Sequence, residues 1–189
     1  MHCLRTINVE HEYGTTRLTL LTGITFIIVF CFSYVATSYN YGYPHNDDGF
    51  IYFCLVLTII YPIHKLTHYI ALFNYKKALS FRFKIKKRFI PIIQMRLNET
   101  IPKNRYIFTL LAPFFFLNSI LLGLAFSYPQ FSHYFCILLA LHCSICLLDI
   151  LFVKNLWKAP KNAIIEETPK GYEILVPTIM NSSSNLSQR

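Results

Sequence analysis

The chain has 189 residues, of which 54% are hydrophobic and only 14% are charged. Soluble domains carry about 25% charged residues, so this composition excludes an ordinary soluble domain and favours an integral membrane protein. The formal net charge is +9, and ten of the 18 basic residues lie within residues 74–105, where Glu99 is the only acid. This basic segment, interleaved with Phe and Ile, indicates anionic lipid head groups as its partner, and no nucleic acid.

Four apolar stretches are long enough to cross a hydrocarbon core of about 30 Å. They are residues 18–39, 50–73, 106–128 and 131–153. The polar amino-terminal tail before them, residues 1–17, is too short to form a domain. The sequence therefore predicts an all-α integral membrane protein with a four-helix membrane domain over residues 18–153, surrounded by the lipid bilayer.

The basic loop between the second and third helices, residues 74–105, contains a strand pattern. Residues 81–86 alternate apolar and basic side chains, and this period of two is typical of a β-strand. Pro91 is expected to break the pattern, and residues 98–104 are expected to form a loop. The edge of such a strand can add to an extended peptide, so we expect a membrane-protein substrate or partner segment as a possible ligand.

The carboxy-terminal tail and the loop charges predict the topology. Residues 154–180 carry a strand-turn-strand pattern, which predicts a small β element, and residues 181–189 are expected to be disordered. The loops at 40–49 and 129–130 contain no Lys or Arg, whereas the tail and loop 74–105 are basic. The positive-inside rule then predicts a cell-membrane protein with both termini and the β element in the cytoplasm.

The second predicted helix contains the sequence His64-Lys-Leu-Thr-His68. Two histidines four residues apart share one face of a helix, so both rings can bind one metal ion. In the zincin motif H-E-x-x-H, the residue after the first histidine is a glutamate that acts as the general base. Here that residue is Lys65, so the sequence contains the ligand pair of a zinc peptidase without its base.

The fourth helix contains a candidate third ligand, Asp149. The second and fourth helices enter the membrane from the same side, so the depth of each residue can be counted. At about 1.5 Å per residue, His68 and Asp149 both lie about 27 Å from the helix start and His64 about 21 Å. His142, at about 16 Å, is level with neither histidine. Two histidines, one carboxylate and one open position are the arrangement of a catalytic zinc.

Two other interpretations of these residues remain open. Lys65 and Asp149 can form an ion pair that joins the two helices, with the histidines hydrogen-bonded across the bundle and no metal. Cys143 and Cys146, next to His142, also have metal-ligand spacing. However, thiols in apolar helices usually pack as small hydrophobes, and the six cysteines do not suggest a disulfide framework.

Three motifs in this order resemble those of the putative zincin peptidases, small four-helix bacterial membrane proteins distantly similar to site-2-type intramembrane metalloproteases. The motifs are HKLTH at 64–68, RYIFTLLAPF at 105–114, and LHCSICLLD at 141–149 followed by Pro160 and AIIEETPKGYEIL. The resemblance covers roughly residues 15–176.

The resemblance implies a zinc ion held by His64, His68 and Asp149. The catalytic glutamate of the family corresponds to Lys65, and the usual glycine before the aspartate corresponds to Leu148. Since a cationic lysine accepts no proton and repels the metal, we expect a catalytically degenerate zincin, or pseudoenzyme, with no catalytic residue. The alternatives are a metal-free structural or regulatory protein and an active zinc peptidase with an unusual base.

Overall fold

The computed structural model describes residues 2–8, 12–41, 45–73, 79–86, 90–97, 100–168 and 171–176. Four long helices dominate this part of the chain. They are α1 (Thr15–Tyr41), α2 (Phe50–Ala71), α3 (Lys103–Ser127) and α4 (Ser132–Trp157). Each is long and apolar enough to cross a membrane, which confirms the predicted fold class.

Within these ranges, six short strands form two antiparallel sheets. They are β1 (His2–Ile7), β2 (Leu79–Lys86), β3 (Ile90–Leu97), β4 (Ile101–Pro102), β5 (Ile164–Thr168) and β6 (Gly171–Val176). The larger sheet has the strand order β1-β6-β5-β4, and β2 and β3 form a separate hairpin. The small β element predicted for the tail is therefore part of a larger sheet, which also contains β1 and β4 from distant parts of the chain.

Two differences from the sequence-based expectations concern the strands β1 and β3. The first part of the amino-terminal tail is a strand: β1 pairs with β6, with Ile7 opposite Tyr172 and both side chains buried. Pro91 does not end the strand pattern but lies within β3, opposite Ile85. A proline is tolerated at a strand edge because its missing N–H can face away from the partner strand. The periodicity of one strand does not identify its partner, so neither pairing was predictable.

The four-stranded sheet packs against the ends of the helices. The starts of α1 and α3 and the ends of α2 and α4 meet it in one apolar core. Its buried residues are Ile7, Leu18, Leu72, Ile101, Tyr106, Leu110, Leu151, Val153, Leu156, Ala163, Ile165, Tyr172 and Ile174. The Tyr172 hydroxyl donates to the carbonyl oxygen of Phe152 at 3.1 Å, and burial raises the pKa of this phenol.

At the opposite end, two hydrogen bonds set the starts of α2 and α4 level with each other. The backbone N–H of Asn46 donates to the carbonyl oxygen of Gln130 at 3.0 Å. The Tyr134 hydroxyl lies 3.3 Å from the carbonyl oxygen of Asp47. The two helices run in the same direction from this point. The histidine motif of α2 therefore comes to lie beside the stretch of α4 that contains Asp149.

The predicted loop at 98–104 contains β4 and the start of α3, where Lys103 is buried although it is charged. Its ammonium donates to the carbonyl oxygens of Ala159 at 2.5 Å and Trp157 at 3.3 Å. These carbonyls lie at and just beyond the end of α4, where backbone acceptors lack helical partners and a cation is favourable.

Replacing Lys103 with Met is expected to destabilise the protein by about 1–3 kcal/mol, the usual effect of leaving buried acceptors unpaired. Thermal unfolding of the detergent-solubilised protein measures this change. Lys158→Met is the matched control, because Lys158 is an exposed lysine at the same end of α4. Equal melting temperatures for the two variants would contradict a capping role for Lys103.

Candidate metal centre

The polar residues of the α2 motif face the protein interior. His64 is 1% exposed and His68 is 5% exposed, whereas most of the apolar side chains of α2 are exposed. The buried face of α2 is thus formed by Ile60, Thr67 and the two histidines. Asp149 of α4 lies opposite them and is 8% exposed. The structure therefore brings together the three candidate ligands His64, His68 and Asp149.

The ligand atoms of these residues form a small triangle. The Nε2 atoms of His64 and His68 are 3.2 Å apart. The Oδ2 atom of Asp149 lies 3.3 Å from His64 Nε2 and 3.5 Å from His68 Nε2. All three atoms are inside the protein, so the triangle is a possible cation site. We call it the carboxylate site.

The dimensions of the carboxylate site fit a zinc ion. Zinc binds His nitrogen and carboxylate oxygen at about 2.0–2.1 Å in a tetrahedron, which places neighbouring ligand atoms about 3.3–3.4 Å apart. The Oδ2 atom of Asp149 also accepts no hydrogen bond of good geometry from the described side chains. A buried carboxylate oxygen without a donor is costly, and a cation among the three atoms would remove that cost.

The second ring nitrogen of His68 explains the orientation of its ring. His68 Nδ1 lies 2.8 Å from the carbonyl oxygen of Thr109 in α3. Because a carbonyl only accepts, Nδ1 carries the proton, and a neutral ring therefore has its lone pair on Nε2, which faces the triangle. The Thr109 carbonyl is free for this bond because the residue four positions later is Pro113, which has no N–H.

The second ring nitrogen of His64 belongs to a chain of buried hydrogen bonds. His64 Nδ1 lies 3.2 Å from His142 Nε2, and His142 Nδ1 lies 2.7 Å from Asn118 Oδ1. With the Asn118 oxygen accepting, His142 donates from Nδ1 and accepts at Nε2, so His64 donates from Nδ1. The lone pair of His64 is then on Nε2, as in His68. A partner for the second nitrogen is typical of metal-bound histidines.

The depth count placed His142 level with neither histidine, yet the structure brings it into contact with His64. By that count His64 lies between His142 and Asp149, about one turn from each. Histidine and aspartate side chains are long enough to span one turn, so both reach His64. Asn118 and Thr109 were not identified from the sequence. The one available signal was the position of Pro113 four residues after Thr109.

Cys146 lies on the same face of α4 as His142 and Asp149. Its sulfur is 3.8 Å from His64 Nδ1 and 3.6 Å from His142 Nε2. Cys143 and Cys146 do not act together, because only Cys146 is fully buried and belongs to a cluster of possible metal ligands among the described residues.

Lys65 does not pair with Asp149, so the predicted ion pair between them is wrong. Across the described ranges, the ion-pair partners of the Asp149 carboxylate are His64 and His68. Lys65 is half-buried, and its ammonium lies 5.9 Å from the centre of the Tyr61 ring. This is the distance of a cation–π contact. The contact places the lysine ammonium against a side chain one turn earlier on the same helix.

Four membrane-length helices around a histidine–carboxylate cluster define a metallopeptidase-like class of membrane protein. Residues 57–164 match the family of putative zincin peptidases. This match covers more than half of the chain, so the chain belongs to that family. The matched region contains α3, α4 and most of α2, and with them His64, His68 and Asp149. The search of curated proteins and the search of solved structures found no match.

Proposed function

We propose that this protein is a multi-pass membrane protein that binds zinc through His64, His68 and Asp149 and does not cleave peptide bonds. The observation that carries the proposal is the triangle of three buried ligand atoms with edges of 3.2 to 3.5 Å. A bound zinc ion would supply Lewis-acid chemistry. The residues around the site determine whether hydrolysis can follow.

The protonation pattern of the site supports a cation. Both histidines use Nδ1–H for other acceptors, so three lone-pair atoms face one another without a proton between them. Such an arrangement is repulsive unless a positive charge lies among the atoms. The ionised Asp149 also neutralises part of the charge of a divalent ion, which is favourable in an apolar bundle.

The absence of a base argues against hydrolysis. Zinc peptidases use a carboxylate to take a proton from the attacking water and deliver it to the leaving amine. The ammonium of Lys65 has three donors and no acceptor, and it repels a cation. Asp149 is committed as a ligand. Within the described ranges, no further carboxylate lies within ion-pair distance of either histidine.

A protein of this kind can still bind a peptide segment. The hairpin of β2 and β3 lies between α2 and α3 in the chain and has two strands in the described structure. Its outer edges offer backbone groups to an extended segment of another membrane protein. We propose that the protein captures such a segment at this edge without cleaving it.

The charge distribution supports a location in the cell membrane with both termini in the cytoplasm. Eight basic residues lie between α2 and α3 and two more lie in the first turn of α3, whereas the loops at 40–49 and 129–130 contain none. By the positive-inside rule, the hairpin and the four-stranded sheet are then cytoplasmic. The basic hairpin would contact anionic lipid head groups at that surface.

Metal analysis of the detergent-purified protein tests the proposal. We expect stoichiometric zinc in the wild type and loss of most of it in His64→Ala, His68→Ala and Asp149→Asn. Asp47→Asn is the matched control, because Asp47 is an exposed carboxylate at the opposite end of the bundle. Circular dichroism of each variant shows whether the helices are retained.

Wild-type protein without bound zinc, even after incubation with the ion, would overturn the proposal. The metal-free structural interpretation would then stand, with the histidines joining α2 to α3 and α4 through hydrogen bonds. Zinc retained in all three ligand variants would place the ion elsewhere and would equally contradict this site.

A further inference from the structure

His64, His142 and Cys146 form a second group of possible ligands on the other side of the His64 ring. His64 Nδ1 and His142 Nε2 are 3.2 Å apart. The Cys146 sulfur lies 3.8 Å from the first nitrogen and 3.6 Å from the second. His142 and Cys146 are 0% exposed, so all three ligand atoms are inside the protein.

We propose that these three atoms form a second cation site, the thiolate site, which takes a soft cation and excludes occupation of the carboxylate site. The two sites share His64 and use opposite nitrogens of its ring. A neutral imidazole has one lone pair, so His64 serves one site at a time. This inference goes beyond the proposed zinc function and rests on its own set of distances.

The geometry fits a cation bound by two nitrogens and one sulfur. Tetrahedral zinc with Zn–N of about 2.0–2.1 Å and Zn–S of about 2.3 Å has ligand atoms about 3.3–3.6 Å apart. The observed separations are 3.2, 3.6 and 3.8 Å. The Cys146 sulfur also lies 3.7 Å from His142 Nδ1, so the Cys146 side chain or the His142 ring has to turn for the sulfur to reach a cation bound at Nε2.

Binding at the thiolate site requires a defined exchange of protons. The Cys146 thiol releases its proton to solvent and becomes a thiolate ligand. The His64 proton moves from Nδ1 to Nε2, where it faces Asp149 Oδ2 at 3.3 Å. His142 keeps its Nδ1–H on Asn118 and binds through Nε2. Each bound cation releases one proton, no electron is transferred, and Asp149 gains the hydrogen-bond donor that it otherwise lacks.

The ligands favour a soft monovalent cation. Thiolate selects Cu⁺ and Zn²⁺ over harder ions. Cu⁺, the softer of these two ions, forms a complex without net charge with one thiolate and two neutral histidines, and such a complex is favourable inside an apolar bundle. The carboxylate site has no sulfur and retains its preference for zinc. The chemical class of the ligand is therefore Cu⁺ at the thiolate site and Zn²⁺ at the carboxylate site.

Two variants measured with two cations test the inference on the full-length protein in detergent. The probes are Zn²⁺ and, under anaerobic conditions, Cu⁺, each titrated in competition with a chromophoric chelator. Cys146→Ser is expected to weaken Cu⁺ binding by at least about 100-fold, because the loss of a direct ligand exceeds the 10–100-fold effect of losing an outer-shell partner. The same variant is expected to leave Zn²⁺ binding unchanged. Asp149→Asn is expected to abolish Zn²⁺ binding and to weaken Cu⁺ binding by at most the roughly 10–100-fold effect of an outer-shell partner.

Controls and contrary outcomes follow from the shared ligand. His64→Ala is expected to lose both cations, and saturating Cu⁺ is expected to displace Zn²⁺ from the wild type. Cys136→Ser is the matched control, because Cys136 is a fully buried cysteine of the same helix outside the group. Equal Cu⁺ affinity in the wild type and Cys146→Ser would overturn the thiolate site, as would simultaneous binding of both cations. The Zn²⁺ titrations test the proposed function separately.

Discussion

Replacing Lys65 with Glu is expected to produce a zinc-dependent peptidase activity that the wild type lacks. The substitution places a proton acceptor directly after the first histidine, which is the position of the general base in H-E-x-x-H. It also replaces a positive charge beside the site with a negative one, so zinc binding is expected to tighten. General-base catalysis typically contributes a factor of about 10²–10⁴ in rate, enough to turn an undetectable reaction into a measurable one.

Cleavage of a model transmembrane substrate in detergent, followed by electrophoresis and mass spectrometry, measures this activity. Lys65→Gln is the matched control, because glutamine removes the positive charge without supplying a base. It is expected to raise zinc affinity without producing cleavage. The double variant His64→Ala, Lys65→Glu is expected to be inactive, which separates the new activity from a contaminating protease.

Two outcomes would contradict this interpretation of Lys65. Cleavage by the wild type at a rate similar to that of Lys65→Glu would show an active enzyme with an unusual base. A zinc-loaded but inactive Lys65→Glu variant would show that Lys65 is not the one group that prevents hydrolysis. In that case a further departure from the family, such as Leu148 before Asp149, would have to be examined by the same assay.

The membrane architecture was readable from the sequence because it depends on composition over long segments. Four apolar stretches of membrane length predict four helices regardless of how the helices pack. The strand at 81–86 was also visible, from its period of two, and lies within β2. The pairing of β1 with β6 was not visible, because it joins the two ends of the described chain. Contacts between distant segments leave no local pattern.

In the site, too, contacts within one helix were predictable from the sequence, whereas contacts with α3 were not. The pair His64 and His68 follows from a spacing of four on one helix, and counting residues from matched helix starts brought Asp149 to the same depth. The count could not find Asn118 or Thr109, which lie on α3. That helix runs in the opposite direction to α2, and nothing in the sequence specifies which of its residues faces the histidines.

The contacts of Cys146 were also not predicted from the sequence. From the sequence it was paired with Cys143 by spacing alone, and together they suggested packing rather than ligation. In the structure, Cys146 turns toward His142 one helical turn earlier and toward His64 on another helix. The spacing of four between His142 and Cys146 is the same signal that identified His64 and His68, but it was not used to pair these two residues. The cross-helix contact depends on the packing of α2 against α4.

Pro113 links the fold to the site, and its replacement is expected to change stability and zinc affinity in opposite directions. Alanine is favoured over proline inside a helix by about 3 kcal/mol, so Pro113→Ala is expected to stabilise the metal-free protein by up to about that amount. The new alanine would also supply an N–H four residues after Thr109. That N–H competes with His68 Nδ1 for the Thr109 carbonyl, which now accepts from the histidine at 2.8 Å.

Loss of this partner would free the His68 ring to rotate and to carry its proton on Nε2, where it blocks the metal. Outer-shell partners of this kind contribute about 10–100-fold to metal affinity, so zinc affinity is expected to fall by that factor. Chemical denaturation of the metal-free protein and chelator competition measure the two effects. Pro62→Ala is the matched control, because Pro62 also lies inside a helix. The carbonyl that Pro62 leaves without an N–H partner is that of Thr58, about one and a half turns before His64. A more stable Pro113→Ala variant with unchanged zinc affinity would show that the carbonyl of Thr109 does not hold His68 in its metal-binding orientation.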